Sequence, residues 1–382
     1  ADVLAESYTV PPAGPYPQNQ PKRNTVHFTP VQTEAIMSGV RPGLSLVVGP
    51  PGTGKTDVAV QILQLLYHNE PNQRTLLVTH SNQALNDLFL KLMERDVPTR
   101  HLLRLGMGEA ELGTDVDFSR VGRVDAMLQR RLDLLGEVER LARLFGVASD
   151  VAYTCETAKH FWLLHVLSKW ERFMAACKKG AEDPGVVARL FPFKEYFADV
   201  PDQPLFHGRD WEADMDRAKC CFRHLRAIFS EIEECHAFEL LRGSNDRVNY
   251  LMTMQAKIVA MTCTHAAMKR REFCDLGFQY DTVVMEEAAQ VLEVETFIPM
   301  VLQEGSQRLK RVVLIGDHNQ LPPVVQNSAL QSRCKLEQSL FTRLVRLGVP
   351  RVELNAQGRA RPSIADLYRW RYRALGDLPR TL

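Results

Sequence analysis

The sequence predicts an α/β fold built on a parallel sheet, because short apolar runs recur along the chain and a glycine-rich loop follows the first of them. Runs of four or five apolar residues between polar turns are typical of strands that are buried on both faces of a parallel sheet. Five segments have this character: residues 44–48, 76–79, 258–261, 282–285 and 312–315. We therefore expect a five-stranded parallel sheet with helices on both faces.

The loop after the first run has the sequence GPPGTGKT at residues 49–56, and an apolar-periodic helical segment follows at residues 58–66. A strand, a glycine-rich turn and a helix in this order place the first N–H groups of the helix around a phosphate. Lys55 would reach the β- and γ-phosphates of ATP, and the Thr56 hydroxyl would hold Mg²⁺. The other loop residues expected to surround the phosphates are Gly49, Gly52, Thr53 and Gly54.

Polar motifs follow two more of the predicted strands. Glu286 and Glu287 come directly after residues 282–285, and Gln320 lies in the string GDHNQLPP after residues 312–315. One carboxylate would organise Mg²⁺ while the other polarises the attacking water. The Gln320 amide would donate to a γ-phosphate oxygen. The alternatives are a solvated helix start for the Glu-Glu pair and a simple proline-closed turn for the Gln320 string.

Gln32 precedes the phosphate loop by about the distance needed to reach an adenine. A glutamine amide pairs with the N6 and N7 atoms of adenine in bidentate recognition. We therefore expect Gln32 to contact the base of the bound nucleotide.

The length of 382 residues exceeds one ordinary domain, so more than one folding unit is expected. The gap between residues 79 and 258 contains no strand series, and its apolar residues recur three or four apart along residues 121–145, as on a helix. Further helical stretches are predicted near residues 161–177 and 215–241. The predicted divisions are a proline-rich lead-in at 1–26, a RecA-like domain in two parts at 27–106 and 247–350, an all-helical insertion at 107–246, and the truncated start of a second RecA-like domain at 351–382.

The composition excludes several classes of protein. A net charge of +1 gives no global attraction to nucleic acid, so any binding surface must be local, such as the arginines within residues 120–143. Eight cysteines without a CxxC pair indicate neither a zinc site nor a disulfide framework, and favour a reducing, intracellular location. No apolar stretch approaches the roughly 20 residues of a membrane span, so we expect no membrane partner.

An ordered set of motifs resembles superfamily 1 helicases of the nonsense-mediated-decay-helicase type. The set comprises Gln32, GPPGTGKT, THSNQA at 79–84, TCTHA at 262–266, EEAAQ at 286–290, GDHNQLPP at 316–323 and QGR at 357–359. Longer strings, among them PKRNTVHFTPVQTEAI and VVMEEAAQVLEVETFIP, narrow the resemblance to the intron-binding RNA helicases of the spliceosome. Glu286, where most relatives carry Asp, belongs to that narrower group. Gly358 stands where the wider family has an aromatic residue, which argues against stacking there.

The resemblance implies a nuclear ATP-dependent RNA helicase that binds single-stranded intronic RNA in pre-mRNA splicing, with the insertion as a candidate docking arm for spliceosomal proteins. It implies ATP-site roles for Lys55, Thr56, Glu286, Glu287, Gln320 and Arg359. It implies contacts to the RNA sugar-phosphate backbone for Ser81, Asn82, Thr262 and Thr264, and simple strand capping is the alternative for these four. Nothing after Arg359 resembles the family's fifth and sixth motifs, so we expect this chain alone to hydrolyse ATP weakly.

Two rival functions come from other classes. The chain could be a phosphate-loop ATPase that does not act on nucleic acid, which the Ser81-Asn82 and GDHNQLPP strings disfavour. It could also be an interaction scaffold with a vestigial ATP site, which the intact Lys55-Thr56 and Glu286-Glu287 pairs disfavour.

Overall fold

The computed structural model describes residues 14–19, 22, 24–180, 183–303 and 305–379, and these residues form two compact units. The first unit comprises the described residues of Arg23–Arg123 and Leu251–Leu382. The second comprises Val124–Tyr250 and the described residues of Thr9–Lys22. The rest of the predicted lead-in lies outside the described residues. None of the described helices combines the length and the apolar character of a membrane span.

The described strands all lie in the first unit. They are β1 (Gly43–Val48), β2 (Thr75–Thr79), β3 (Leu102–Arg104), β4 (Ile258–Thr262), β5 (Thr282–Met285), β6 (Arg311–Gly316), β7 (Val352–Glu353), β8 (Ala356–Gln357) and β9 (Gly376–Asp377). The first seven form one sheet in the order β3-β4-β2-β5-β6-β1-β7, in which every described pair is parallel. The last two form a separate parallel pair.

The helices follow the same chain order. They are α1 (Pro30–Val40), α2 (Lys55–Asn69), α3 (Asn82–Met93), α4 (Arg120–Leu144), α5 (Cys155–Phe161), α6 (Ser168–Lys179), α7 (Val186–Leu190), α8 (Trp211–Leu240), α9 (Ser244–Tyr250), α10 (Cys263–Met268), α11 (Arg270–Leu276), α12 (Glu293–Val301), α13 (Ser328–Cys334), α14 (Leu340–Arg346) and α15 (Pro362–Arg369). Short 3₁₀ turns occur at Pro17–Asn19, Thr99–His101, Met107–Glu111, Ser149–Ala152 and Ala288–Gln290. Two π-helical turns occur at Trp162–Leu167 and Leu251–Gln255.

The predicted α/β class is confirmed, but the predicted number of strands is wrong. All five expected strands are present, and the sheet gains β3 and β7. β3 lies in the gap that we expected to be free of strands, and it pairs with β4. β7 pairs with β1, so this strand belongs to the first sheet. Strands of two or three residues are too short to leave a periodic pattern, because their neighbours in the sheet determine them.

The core of the first unit lies on both faces of the sheet. Consecutive residues of β2, β4 and β5 are buried without alternation, which is the pattern of a parallel sheet covered on both sides. One face packs against α1, α2 and α3. Leu112 and Phe118 also lie in this core cluster. The second unit begins at Val124 because the preceding residues pack against the sheet's own core.

The second unit contains helices and no strand among its described residues. Its longest helices, α4 and α8, span 25 and 30 residues. Aromatic rings fill its interior, as in the stacked pair Trp170 and Phe222, whose centroids are 4.1 Å apart. The described part of the lead-in is anchored here, because the Tyr16 hydroxyl donates to Asp199 at 2.7 Å. The domain boundaries inferred from the sequence stay a prediction.

Candidate nucleotide-binding site

The phosphate loop connects β1 to α2 at the carboxyl edge of the sheet. Gly52 and Gly54 have φ angles of +73° and +78°, a region that side chains with a Cβ rarely adopt. A Cβ on Gly52 would also lie 2.8 Å from the Cβ of Arg359. The backbone must therefore carry glycine here to turn from the strand into the helix. The first N–H groups of α2 have no partner within the helix and suit an anion.

Lys55 and Thr56 occupy the first turn of α2. The Lys55 ammonium donates to the carbonyl oxygen of Gly49 at 2.7 Å. Burial lowers the pKa of Lys55, and the nearby carboxylates Asp317 and Glu286 oppose that shift. The Thr56 hydroxyl donates to Oε1 of Glu286 at 2.6 Å. These two residues lie 230 positions apart in the sequence, and the register of the sheet brings them together.

The two adjacent carboxylates after β5 have different environments. Glu286 is only 4% exposed, and burial, with the Glu287 carboxylate, raises its pKa to about 7 against the opposing effects of Thr56 and Lys55. Glu287 is half-buried and adopts a φ of +57°, which is unusual for a residue other than glycine. Backbone strain of this kind is concentrated at functional sites. Gly316 permits this turn to approach β6, because a Cβ there would lie 2.9 Å from the Ala289 nitrogen.

Thr56 and Glu286 present two neighbouring oxygen atoms of the kind that Mg²⁺ binds. Mg²⁺ in nucleotide sites is bound by one or two protein oxygens and completes its shell with water and phosphate oxygens. No cluster of three or more His, Cys, Asp or Glu side chains suited to a metal occurs in the described ranges. The contact between the Thr56 hydroxyl and the Glu286 carboxylate therefore agrees with a metal that is shared with phosphates and disagrees with an all-protein metal cage.

The raised pKa of Glu286 predicts a pH dependence. The usual value of 4.5 lies below the folded value of about 7, so between these pH values the folded chain retains a proton that the unfolded chain has lost. The free energy of unfolding of the metal-free chain should therefore fall as the pH rises through this window. Mg²⁺ requires the ionised carboxylate, so Mg²⁺-dependent nucleotide affinity should rise about tenfold between pH 6 and pH 8. Calorimetric titrations across this range would measure the rise.

Glu286→Gln is the matched control for this prediction, since the amide does not titrate. The pH-dependent gain in affinity should disappear in this variant. A gain of equal size in the variant and in the unmodified chain would show that another group is responsible.

Gln320 and Arg359 reach the same region from two other segments. Asp317 directly follows β6, and its Oδ2 accepts a hydrogen bond from Gln320 Nε2 at 2.7 Å. Arg359 is exposed, and its segment is tied to the phosphate loop because the Gly358 nitrogen donates to the Gly52 carbonyl at 2.9 Å. The fully buried Gln357 supports this turn by accepting a hydrogen bond from the Arg359 nitrogen at 2.9 Å.

These segments enclose a cavity of about 440 Å³, within the size range of small-molecule sites. Its lining includes most of the predicted ATP-site residues: Gly52, Thr53, Gly54, Lys55, Thr56, Glu286, Glu287, Gln320 and Arg359. It also includes residues to which the sequence analysis gave no role: Asp57, Asp87, Lys91 and Asp317. The one sequence signal for Asp317 is its place in the string GDHNQLPP, directly after a predicted strand. Gly49 and Gln32 are not among the lining residues.

Gln32 lies beneath the phosphate loop. Its Nε2 donates to the Thr53 carbonyl at 2.9 Å, and its Oε1 accepts from the Thr29 nitrogen at 2.8 Å. Thr29 in turn accepts from the Gln32 nitrogen, which completes a capping box at the start of α1. The amide therefore supports the loop from below. Its pairing with adenine stays a prediction and would require Nε2 to leave Thr53.

The four candidate RNA contacts lie at the carboxyl ends of the adjacent strands β2 and β4. Ser81 accepts from the Ala84 nitrogen at 3.2 Å and so caps α3, and Thr262 accepts from the His265 nitrogen at 3.2 Å and so caps α10. Asn82 and Thr264 are exposed at the same edge. Capping is thus present for two of the four, and contact with RNA stays a prediction for all of them.

The sequence analysis missed Arg104, which lies beside these residues. Arg104 is only 1% exposed, and its guanidinium donates to Asn82 Oδ1 at 2.9 Å, to Asn86 Oδ1 at 3.1 Å and to the Leu105 carbonyl. Burial lowers the pKa of Arg104 to about 10. The donation to Asn82 Oδ1 turns the Asn82 amide nitrogen away from Arg104.

A parallel sheet with a phosphate loop and two acidic strand ends at one edge defines a RecA-like nucleotide-binding domain. A family model described as "AAA domain" matches residues 19–328, and the chain belongs to this family. The chain is 58% identical, over 99% of its length, to the protein named RNA helicase aquarius of Mus musculus, of which it covers 26%. The helicase-type resemblance predicted from the motifs is thereby confirmed.

Two fission-yeast proteins extend the comparison. The chain is 26% identical over 91% of its length to Pre-mRNA-splicing factor cwf11 of Schizosaccharomyces pombe, and covers 26% of that protein. It is 37% identical over 91% of its length to ATP-dependent helicase upf1 of the same organism, and covers 27% of it. The chain thus spans about a quarter of the length of each of these relatives.

Proposed function

We propose that this chain is the ATP-binding part of an ATP-dependent RNA helicase that acts on intronic single-stranded RNA during pre-mRNA splicing. The observation that carries the proposal is the convergence of the phosphate loop, the Thr56–Glu286 pair and Glu287 on one cavity. The names of the mouse RNA helicase and the fission-yeast splicing factor support the RNA and splicing parts. A role in splicing places the protein in the nucleus.

The residues of the cavity divide the chemistry between them. The N–H groups at the start of α2 and the Lys55 ammonium bind the phosphates, while Thr56 and Glu286 hold Mg²⁺. When bound, Mg²⁺ neutralises phosphate charge and orients the transferring group. Glu287, at the cavity wall, accepts a proton from the attacking water. Gln320 and Arg359, which also line the cavity, contact the γ-phosphate.

The RNA strand would lie across the carboxyl ends of β2 and β4. The short hydroxyl and amide side chains of Ser81, Asn82, Thr262 and Thr264 can bond sugar and phosphate without reading the base. In the complete helicase, ATP binding would close two RecA-like domains around this strand, and hydrolysis would reopen them. A trans-domain arginine contributes about 10³–10⁵ in rate to related phosphoryl transfers.

The test is ATP hydrolysis by the full-length protein with and without single-stranded RNA, and with single-stranded DNA of the same sequence. The proposal predicts hydrolysis that single-stranded RNA stimulates and that Lys55→Ala removes. Equal hydrolysis with and without nucleic acid would identify an ATPase of another class. Absence of both binding and hydrolysis would identify a scaffold with a vestigial site.

The second unit is proposed as the docking arm for spliceosomal proteins. Four arginines of α4 form ion pairs within this unit: Arg130 with Glu231, Arg131 with Glu239, Arg140 with Asp199 and Arg143 with Glu139. Their charge is therefore locally neutralised, which favours a protein partner over RNA.

Replacing Val124–Tyr250 with a short Gly/Ser linker should leave nucleotide affinity near that of the intact chain. The cavity-lining residues all belong to the first unit, and doubling a loop's length changes its closure cost by only about 0.6 kcal/mol. Association with spliceosomal proteins should be lost in a co-purification assay with the full-length protein. If a variant that still melts cooperatively lost ATP binding, the second unit would be part of the catalytic core.

A further inference from the structure

Asp317 joins two segments that are distant in the sequence. It directly follows β6, is only 4% exposed and lines the nucleotide cavity. Its Oδ2 accepts one hydrogen bond from Gln320 Nε2 at 2.7 Å and another from the Tyr372 hydroxyl at 2.6 Å. Its Oδ1 accepts from the Asn319 nitrogen at 3.0 Å. Tyr372 lies 55 positions further along the chain, after α15. Both Gln320 and Tyr372 therefore depend on one buried carboxylate oxygen for their position.

This arrangement fixes the orientation of the Gln320 amide. A carboxylate oxygen accepts hydrogen bonds, so the amide nitrogen of Gln320 must face Asp317. One of its two N–H groups donates to Oδ2, and the second is the donor that would meet a γ-phosphate oxygen. The Tyr372 phenol contributes the second donor to the same oxygen. Burial, together with the hydrogen bond to Asp317, raises the pKa of Tyr372, so the phenol remains a donor at neutral pH. The carboxylate is held in place by neutral donors from both segments.

We propose that Tyr372 is a positioning residue for Gln320, acting through Asp317, and that it couples the segment after α15 to recognition of the γ-phosphate. The inference rests on the proposed function, because it takes the cavity to be an ATP site. When the Tyr372 hydroxyl is present, Asp317 and Gln320 hold one orientation. When the hydroxyl is absent, the carboxylate loses one of its two Oδ2 donors, and the Gln320 amide loses its fixed support. The affinity for a triphosphate should then fall, and the affinity for a diphosphate should not.

Tyr372→Phe tests the proposal, because it removes the hydroxyl and keeps the ring. The 382-residue chain would be titrated by calorimetry with Mg²⁺ and either AMP-PNP or ADP. We expect the ratio of AMP-PNP to ADP affinity to fall about five- to tenfold, the size of a coupling between contacting groups. ADP affinity and the melting temperature should stay near those of the unmodified chain. Tyr368→Phe, which removes a neighbouring hydroxyl of α15, is the matched control and should leave the ratio unchanged.

A double-mutant cycle with Gln320→Ala separates positioning from a merely structural role. If Tyr372 acts through Gln320, Tyr372→Phe should have no further effect on the affinity ratio in the Gln320→Ala background. An undiminished effect in that background, or an equal loss of affinity for both nucleotides, would overturn the proposal. If Tyr372→Phe does not fold, Tyr372→Met, whose flexible side chain also lacks the hydroxyl, replaces it in the same cycle, with the same expected results.

The outcomes also separate this inference from the proposed function. If Gln320→Ala lowers the affinity ratio but Tyr372→Phe does not, the positioning role is wrong and the ATP site stands. If the unmodified chain binds neither nucleotide, the proposed function fails and the inference fails with it.

Discussion

Replacing Lys55 by Ala is expected to remove measurable ATP binding while the chain remains folded. The ammonium donates to backbone carbonyls of the phosphate loop, at 2.7 Å to Gly49 and 3.4 Å to Pro50. Hydrogen bonds to a charged group contribute about 1.5–3 kcal/mol each, and the cost of burying the ammonium offsets that gain in folding. Against phosphate, each charge-assisted hydrogen bond contributes about 1.5–3 kcal/mol, so loss of two lowers affinity by roughly 10²–10⁴-fold.

Calorimetry with Mg²⁺ and AMP-PNP would measure this loss, and a thermal melt would verify the fold. Lys310→Ala is the matched control. Lys310 is exposed and immediately precedes β6, at the end of that strand opposite the cavity. The Lys310→Ala variant should bind AMP-PNP as tightly as the unmodified chain does. Unchanged affinity in Lys55→Ala would mean that the nucleotide-site interpretation is wrong.

The second large effect is expected for Glu287→Gln, which should preserve ATP binding and stop hydrolysis. The amide keeps the shape of the side chain but cannot accept the proton of the attacking water, and general-base catalysis contributes about 10²–10⁴ in rate. Glu287 lines the cavity in its unusual left-handed backbone conformation. Single-turnover hydrolysis by the full-length protein with single-stranded RNA would measure the loss.

Glu286→Gln provides the comparison, because its side chain contacts Thr56 and lies deeper. This variant should weaken Mg²⁺-dependent nucleotide binding. A Mg²⁺ titration of nucleotide affinity in which the two variants behave alike would contradict this division of roles between the carboxylates.

Local features of the fold could be predicted from the sequence, and long-range ones could not. The strand, loop and helix around residues 49–56 are adjacent in the chain, so the amino-acid sequence alone predicts them. The nearness of Glu286 and Glu287 to the phosphate loop could be expected because parallel strands end at one edge of the sheet, but the Thr56–Glu286 contact itself was not predicted. β3 and β7 were missed because strands this short are stabilised by their neighbours.

The supporting residues of the site were missed for the same reason. The adenine contact of Gln32 stays a prediction, but the sequence analysis did not foresee that its amide supports the Thr53 carbonyl and that a capping box at Thr29 holds it there. The bond from Tyr372 to Asp317 has no sequence signal, because it depends on how the segment after α15 returns to β6. Arg104 is buried beside Asn82, where no pattern of spacing would place it.

The central claim is that the cavity between the phosphate loop and Glu286 binds ATP together with Mg²⁺. Its most direct test is a calorimetric titration of the chain with AMP-PNP, in Mg²⁺ and again in EDTA. The account predicts saturable binding at one site in Mg²⁺, much weaker binding in EDTA, and no measurable binding by the Lys55→Ala variant. Absence of saturable binding, or binding that neither EDTA nor Lys55→Ala weakens, would contradict it.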